Sequence, residues 1–244
     1  MRVAALYDVH GNLPALEAVL GDPRCAAADA IVCGGDLVVG PYPAECLDAL
    51  EAYGEPVRFI TGNCDREAVE APPAGELGVA STWSNERLGR ERTARVGRWP
   101  LTVALELPDT GRVLFCHATP TSDLPILTRI TPEDDVAREL GDVSAVVVVC
   151  GHTHVQYDRR VGSVRLVNAG SVGMPYEGSG DARWALLADG EVELVTTAYD
   201  TEAALARLEQ PGFPLFRQWF VDSLRGDVSA EEATTSFESR RVAQ

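Results

Sequence analysis

The residues able to do metal chemistry are few, and they fall in short clusters. The chain holds four histidines, at 10, 117, 152 and 154, and each lies in a turn that follows an apolar run. Asp8-Val9-His10, Gly34-Gly35-Asp36, Gly62-Asn63, His117 and Gly151-His152-Thr153-His154 each close such a run. Imidazole, carboxylate and amide groups together suit borderline ions such as Mn, Fe, Zn or Ni better than Mg or Ca. Taken singly, most clusters have an ordinary reading. Asp8 and Asp36 are common turn residues, Gly62-Asn63 is a frequent turn pair, and one His is usually a hydrogen-bonded core residue. Gly151-His152-Thr153-His154 is more specific. Histidines two apart in extended chain project to one side. Two neighbouring imidazoles are most simply kept neutral by a metal. No histidine falls outside these turns, so the five clusters in order point to a metal site.

Such a site needs a sheet whose strand ends gather distant parts of the chain. Val3–Tyr7, Ala30–Cys33 and Val57–Ile60 read as buried strands. Asn12–Leu20 and Pro43–Tyr53 read as helices between them, with Pro14 near the start of the first. This β-α-β-α-β order predicts parallel strands with helices on their faces, and all three C-terminal ends on one edge. Ligands bind along that edge in open α/β sheets. Residues 71–100 read as a polar, Arg-rich helical insert carrying Trp83, with a helix over Glu76–Arg98. Thr102–Leu107 with Arg112–Cys116, Tyr157–Val161 with Val164–Val167, and Ala182–Leu187 with Glu191–Thr196 read as hairpins. Ala145–Cys150 reads as a further buried strand, and Pro132–Leu140 as a helix capped by Thr131. Thr201–Gln210 and Phe213–Leu224 read as helices, with a polar tail from Arg225. The expected fold class is α/β: a two-sheet β-sandwich of mixed strands flanked by helices. Residues 1–200 form the expected main domain, and 201–244 a C-terminal helical appendage packed on it.

Composition narrows the function classes. The 244 residues carry 37 acidic and 21 basic side chains, every base an Arg, for a net charge of −16. An acidic surface repels phosphate backbones, which argues against general nucleic-acid binding. The longest apolar run, Ala145–Cys150, is too short to span a membrane. The N-terminus lacks the length of a signal peptide. Six scattered Cys without a Cys-x-x-Cys pair suggest a reduced, cytoplasmic protein with buried thiols.

The ordered clusters resemble those of the calcineurin-like metallophosphoesterases. Asn168-Ala169-Gly170-Ser171-Val172-Gly173 is similar to a segment of their small prokaryotic phosphodiesterase branch. The resemblance runs from residue 1 to about 195 and implies a two-sheet sandwich with two divalent metals, Mn favoured. By position, Asp8, His10, Asp36 and His154 would hold the first ion. Asp36, Asn63, His117 and His152 would hold the second, with Asp36 bridging. A water shared by two such ions becomes hydroxide near neutral pH and attacks phosphorus in line. The implied activity is hydrolysis of a small phosphoester.

Departures from the pattern refine that expectation. Many members carry His after Gly62-Asn63, where this chain has Cys64-Asp65-Arg66. A thiol cannot copy a cationic imidazole, which favours diesters or activated esters, with Asp65 or a water as proton source. A phosphomonoesterase, a nucleotide pyrophosphohydrolase and an inactive protein-binding scaffold are the competing readings. Arg66, Tyr42, Trp83 and Tyr176 are candidate substrate contacts. For Trp83 and the nearby arginines the alternative is a solvated helix with Trp83 in a small core. Phe213, Phe216, Trp219 and Phe220 would serve a homodimer surface or a helix packed on the sheet.

Overall fold

The computed structural model describes residues 1–53, 56–70 and 72–242. The first residue of the 71–100 insert and the last two of the 201–244 appendage lie outside the described residues.

Two five-stranded sheets carry the fold. In the first, β1 (Val3–Leu6), β2 (Ala30–Cys33) and β3 (Val57–Phe59) run parallel. The hairpin of β9 (Ala182–Ala188) and β10 (Glu191–Thr197) joins the far side of β1 antiparallel. In the second, β5 (Gly111–Cys116), β6 (Val147–Cys150) and β8 (Val164–Asn168) run parallel. The antiparallel strands β4 (Thr102–Leu107) and β7 (Tyr157–Val161) form its two edges.

Strand periodicity decides which side chain goes where. Val3, Ala5 and Tyr7 of the first sheet meet Val113, Phe115, Val147 and Val149 of the second in a shared core. The alternate residues Ala4, Leu6, Ile31 and Cys33 face outward onto α1 (Leu13–Gly21) and α3 (Pro43–Ala52). Cys116, Val148, Cys150 and Leu166 face α6 (Glu133–Leu140) on the opposite side. The result is helix, sheet, sheet, helix, as the apolar runs predicted. Each fully buried aliphatic or aromatic side chain contributes about 1.5–3 kcal/mol relative to exposure.

Between β1 and β3 the chain order is as expected, with the short α2 (Pro23–Ala26) added before β2. Three expectations are corrected. Thr131 does not cap α6. Pro132 precedes the helix, while the Thr131 hydroxyl accepts the Thr128 N–H at 2.9 Å and donates to Glu238. The stretch Phe213–Leu224 is not one helix, because a π-helical turn, Arg217–Val221, leads into the short α8 (Asp222–Arg225). The polar tail is not a tail: Ala230–Val242 forms α9, which buries Ala233, Thr234 and Phe237. One helix precedes the insert and one lies within it. α4 (Asn63–Val69) begins inside the Gly62-Asn63 motif, and α5 (Glu76–Val96) breaks at Gly89. With α7 (Thr201–Glu209), the C-terminal segment packs on α4 and α5 through Phe213, Leu215 and Phe220. Phe213, Phe216, Trp219 and Phe220, the four aromatics offered as a dimer surface or a packed helix, pack together within the chain. Among the described residues no helix is long and apolar enough to cross a membrane.

Candidate metal centre

The C-terminal ends of β1, β2, β3, β5 and β6 open onto one edge, where all seven expected ligand side chains are carried. The loops lock together by continuing the β ladder beyond the strands. Asp8 N–H donates to Gly35 O at 3.1 Å, His10 N–H to Asp36 O at 2.8 Å, and Gly151 N–H to His117 O at 2.9 Å. The turns are tight enough to force left-handed backbone. Asp8, His10, Asp36, His152 and His154 have φ between 47° and 68°. Non-glycine residues pay for this conformation, although Asp and His tolerate it better than most, and it concentrates at functional sites. The motif glycines allow close approach: a Cβ on Gly62 would lie 2.1 Å from Asp36 Oδ1, and one on Gly151 would lie 2.5 Å from Asp8 Oδ2.

Each carboxylate is held by one oxygen and presents the other. Asp36 Oδ1 accepts the Cys64 N–H at 2.9 Å, and Asp8 Oδ2 accepts the His152 N–H at 2.9 Å. Asp36 Oδ2 then lies 3.6 Å from His117 Nε2 and 3.8 Å from His10 Nε2. Asp8 Oδ1 lies 3.5 Å from His154 Nε2 and 4.0 Å from His117 Nε2. Two imidazoles are fixed as ligand tautomers by backbone carbonyls. His154 Nδ1 donates to Met174 O at 2.8 Å and His117 Nδ1 to Gly34 O at 3.0 Å. Each Nε2 therefore turns its lone pair inward, the arrangement that outer carbonyls impose on metal-binding histidines. His10 Nε2 lies 3.2 Å from His154 Nε2, and His152 Nδ1 lies 3.2 Å from His117 Nε2. Asn63 Oδ1 lies 3.2 Å from His117 Nε2.

The electrostatics fit cations. Burial pulls His10 and His152 down to about 4, so both rings are neutral at pH 7. Burial alone would raise Asp8 and Asp36, but the neighbouring histidines hold both below the usual carboxylate range. Asp8 Oδ1 and His10 Nδ1 are buried without a hydrogen-bond partner. An uncompensated buried carboxylate costs several kcal/mol, which a bound cation removes. Three donor groups lie close enough for an ion: Asp8 with His10 and His154, Asp8 with Asp36 and His117, and His10 with Asp36 and Cys64, each within 4.8 Å. The first of these groups holds three of the four residues expected around the first ion, while Asp36 and His117 of the second set meet Asp8 rather than His152.

The remaining candidates divide. Asp65 is fully buried and its oxygens face backbone: Oδ1 accepts Leu37 N–H at 3.0 Å and Val38 N–H at 2.9 Å, and Oδ2 accepts Gly62 N–H at 3.2 Å. Burial and the Asp36 charge push it up to about 7. Cys64 lies beside Asp36 as a thiol, held protonated by burial and by that carboxylate. Arg66 forms a two-point pair with Asp123, Nε to Oδ2 at 2.7 Å and Nη2 to Oδ1 at 3.1 Å, tying α4 to the loop after His117. Tyr42 turns its hydroxyl to Arg207 O at 2.8 Å. Trp83 packs edge-on against Phe213 with Arg87 over its face, and Arg92 and Arg95 pair with Asp48 and Glu51. That is the solvated helix with a small core. Of the four candidate substrate contacts, Tyr176 is the one stacked on a ligand ring: His154, 4.9 Å between centroids.

Sequence reasoning missed several positioning groups. Asn168 donates to Gly151 O at 2.6 Å and to Thr153 Oγ1 at 3.1 Å, which braces the double-His turn. The Ser171 hydroxyl donates to Asp8 O at 2.7 Å. Trp219 stands edge-on to His10 at 5.2 Å, so the aromatic cover over that ligand comes from the C-terminal segment. The signal for Asn168 and Ser171 was their place at and just after the end of β8; nothing in the sequence marked Trp219 as a neighbour of His10.

Known proteins share this fold. The chain is 25% identical to an uncharacterized protein of Methanocaldococcus jannaschii, over 91% of this chain and 96% of that one. Its structure resembles that of a hypothetical protein from Pyrococcus horikoshii, with a TM-score of 0.78, 21% identity, and coverage of 92% of this chain and 98% of the other. It also resembles a metallophosphoesterase from Sphaerobacter thermophilus, with a TM-score of 0.70, 25% identity, and coverage of 88% and 95%. The family model for the calcineurin-like phosphoesterase superfamily domain matches residues 1–190, so the chain belongs to that superfamily.

Proposed function

We propose that the protein hydrolyses phosphate esters, with phosphodiesters preferred, using two divalent transition metals held by the seven ligand side chains. The observation that carries this reading is the set of inward-facing donors: two carboxylate oxygens and two fixed Nε2 lone pairs around one buried space. When bound, the metals would supply an activated water and neutralise charge growing on the phosphoryl oxygens.

The chain's own residues do the positioning. Asp36 offers Oδ2 between His10 and His117, where a carboxylate can serve both ions. Asp65 holds the backbone of the Asp36 and Gly62 loops by three accepted N–H bonds, and this supports reading it as a positioning residue rather than a proton donor. Cys64 stands where an imidazole would protonate a leaving group, and its thiol is a weak acid. Esters with good leaving groups, and diesters over monoesters, follow from that substitution. We place the protein in the cytoplasm, because all six Cys are free and buried. A homodimer would use a surface other than the Phe213–Phe220 aromatics.

The test is turnover of bis(p-nitrophenyl) phosphate against p-nitrophenyl phosphate, with Mn²⁺ and after chelator. The expected result is faster diester cleavage that chelator abolishes and Mn²⁺ restores. Faster monoester cleavage would make the protein a phosphatase. Metal binding without turnover under Mn, Ni, Fe and Zn would make it a scaffold.

A further inference from the structure

A cavity of about 310 Å³ lies between the π-helical turn and α9, beside the metal centre. Its walls include Tyr176, Gln218, Trp219, Ser236, Phe237 and Arg240. Two of these residues also pack on the ligands. Tyr176 stacks on His154, with ring planes 17° apart, and Trp219 meets His10 edge-on at 74°. One aromatic ring thus separates the cavity from the metal-binding side chains. Tyr176 continues to Phe237, 6.4 Å between centroids, and the Arg240 guanidinium lies 4.2 Å over the Phe237 ring.

The wall chemistry selects a ligand class. Three flat aromatic surfaces suit a planar ring, since such pairs gain about 0.5–1.5 kcal/mol beyond area burial. Gln218, Ser236 and Arg240 offer polar groups to a ring's edge. Asp222 and Glu232 also border the space, though Glu232 accepts the Ser229 N–H at 3.1 Å and hydroxyl at 2.6 Å. Ligand pockets of this kind are mostly apolar with a few placed polar groups, and run from roughly 300 Å³ upward. Gln218 and Trp219 come from a π-helical turn, a geometry frequent at functional sites. Except for Tyr176, the six residues named lie beyond residue 190, where the family match ends.

We propose that this cavity is the specificity pocket for the planar aromatic half of the phosphoester substrate, a group of nucleobase size. The proposal rests on the hydrolytic reading above for its phosphate end. Trp219 and Tyr176 receive the ring, Phe237 backs Tyr176 as the wall behind it, and Arg240, held over Phe237, addresses its polar edge.

The test uses Mn²⁺-loaded protein and two probes with the same phosphate, adenosine 5′-monophosphate and ribose 5-phosphate. Binding is read by tryptophan fluorescence and by calorimetry. Adenosine 5′-monophosphate is expected to bind at least tenfold tighter than ribose 5-phosphate and to quench Trp219, and Trp219→Phe removes that quench. Arg240→Gln, at an exposed position, and Phe237→Leu are each expected to weaken adenosine 5′-monophosphate about tenfold and to leave ribose 5-phosphate unchanged. If Phe237→Leu does not fold, Arg240→Gln carries the comparison. Equal binding of the two probes, or wild-type selectivity in Arg240→Gln, overturns the pocket. Selectivity without turnover of bis(p-nitrophenyl) phosphate upholds the pocket and removes the hydrolytic reading. Turnover without selectivity removes the pocket alone.

Discussion

The backbone N–H of Cys64 donates to Asp36 Oδ1 at 2.9 Å, and this bond turns Asp36 Oδ2 toward both His10 and His117. A residue at the start of α4 thereby aims a carboxylate carried by the loop after β2. The two strand ends act as one device, and Gly62 is required because a side chain there would meet Asp36.

Asp36→Asn should therefore be the most damaging single change at the centre. It keeps the shape and removes the charge that would serve both ions. Loss of an outer partner to a metal ligand typically costs about 10–100-fold in affinity or activity. Loss of the shared carboxylate should exceed that, and metal content should fall below two equivalents. Wild-type metal content and turnover in this variant would refute the bridging role.

Asn168→Ala should weaken metal binding without touching a ligand. The side chain braces Gly151 and Thr153 and accepts the Gly170 N–H at 2.9 Å, all in buried surroundings. Leaving those groups unpaired costs about 1–3 kcal/mol of stability. Isothermal titration at a temperature where the variant is fully folded should still show metal affinity reduced about tenfold or more. A stability loss with unchanged affinity would make Asn168 a fold residue only.

Stability of the metal-free protein should fall as pH drops from about 6.5 to 4. His10 and His152 are depressed to about 4, while an unfolded His titrates near ~6.5. Between those values the unfolded chain binds two protons that the folded chain excludes. Asp65, raised to about 7, works against this, since the folded state keeps its proton there and the unfolded state does not. His117 is raised, so below about 6.5 it is protonated in both states and adds little slope. These groups alone leave about one proton in the middle of that window, or roughly 1.4 kcal/mol per pH unit, and the depressed Asp8, Asp22 and Asp36 add to the loss at its acid end. Denaturant melts of chelator-treated protein at pH 6.5 and 4.5 check this, and a flat or rising stability toward acid would contradict it.

Much of this was legible in the residues, for identifiable reasons. β1, β2 and β6 read as apolar runs because they are buried on both faces, and the runs of β1, β2, β3, β5 and β6 stopped where the candidate ligands began. What escaped reading depended on tertiary contact. The left-handed backbone at Asp8, His10, Asp36, His152 and His154 has no sequence marker, because Asp and His occupy ordinary turns as readily. The three backbone donors to Asp65 come from the Asp36 and Gly62 loops, a pairing that no sequence pattern marks. α9 escaped because Ala-Glu-Glu-Ala-Thr-Thr-Ser-Phe-Glu-Ser-Arg-Arg-Val shows no apolar stripe; Phe237 alone supplies a large buried side chain. Trp219 offered two ordinary roles by sequence, and its position over His10 emerges only once the π-helical turn is in place.

The most direct measurement is anomalous scattering from crystals grown with Mn²⁺, collected on both sides of the Mn absorption edge. The account predicts two edge-dependent peaks, one among Asp8, His10 and His154 and one among Asn63, His117 and His152, with Asp36 between them. A fully Mn²⁺-saturated crystal showing no peak at this strand edge, or a single peak that does not touch Asp36, would contradict it.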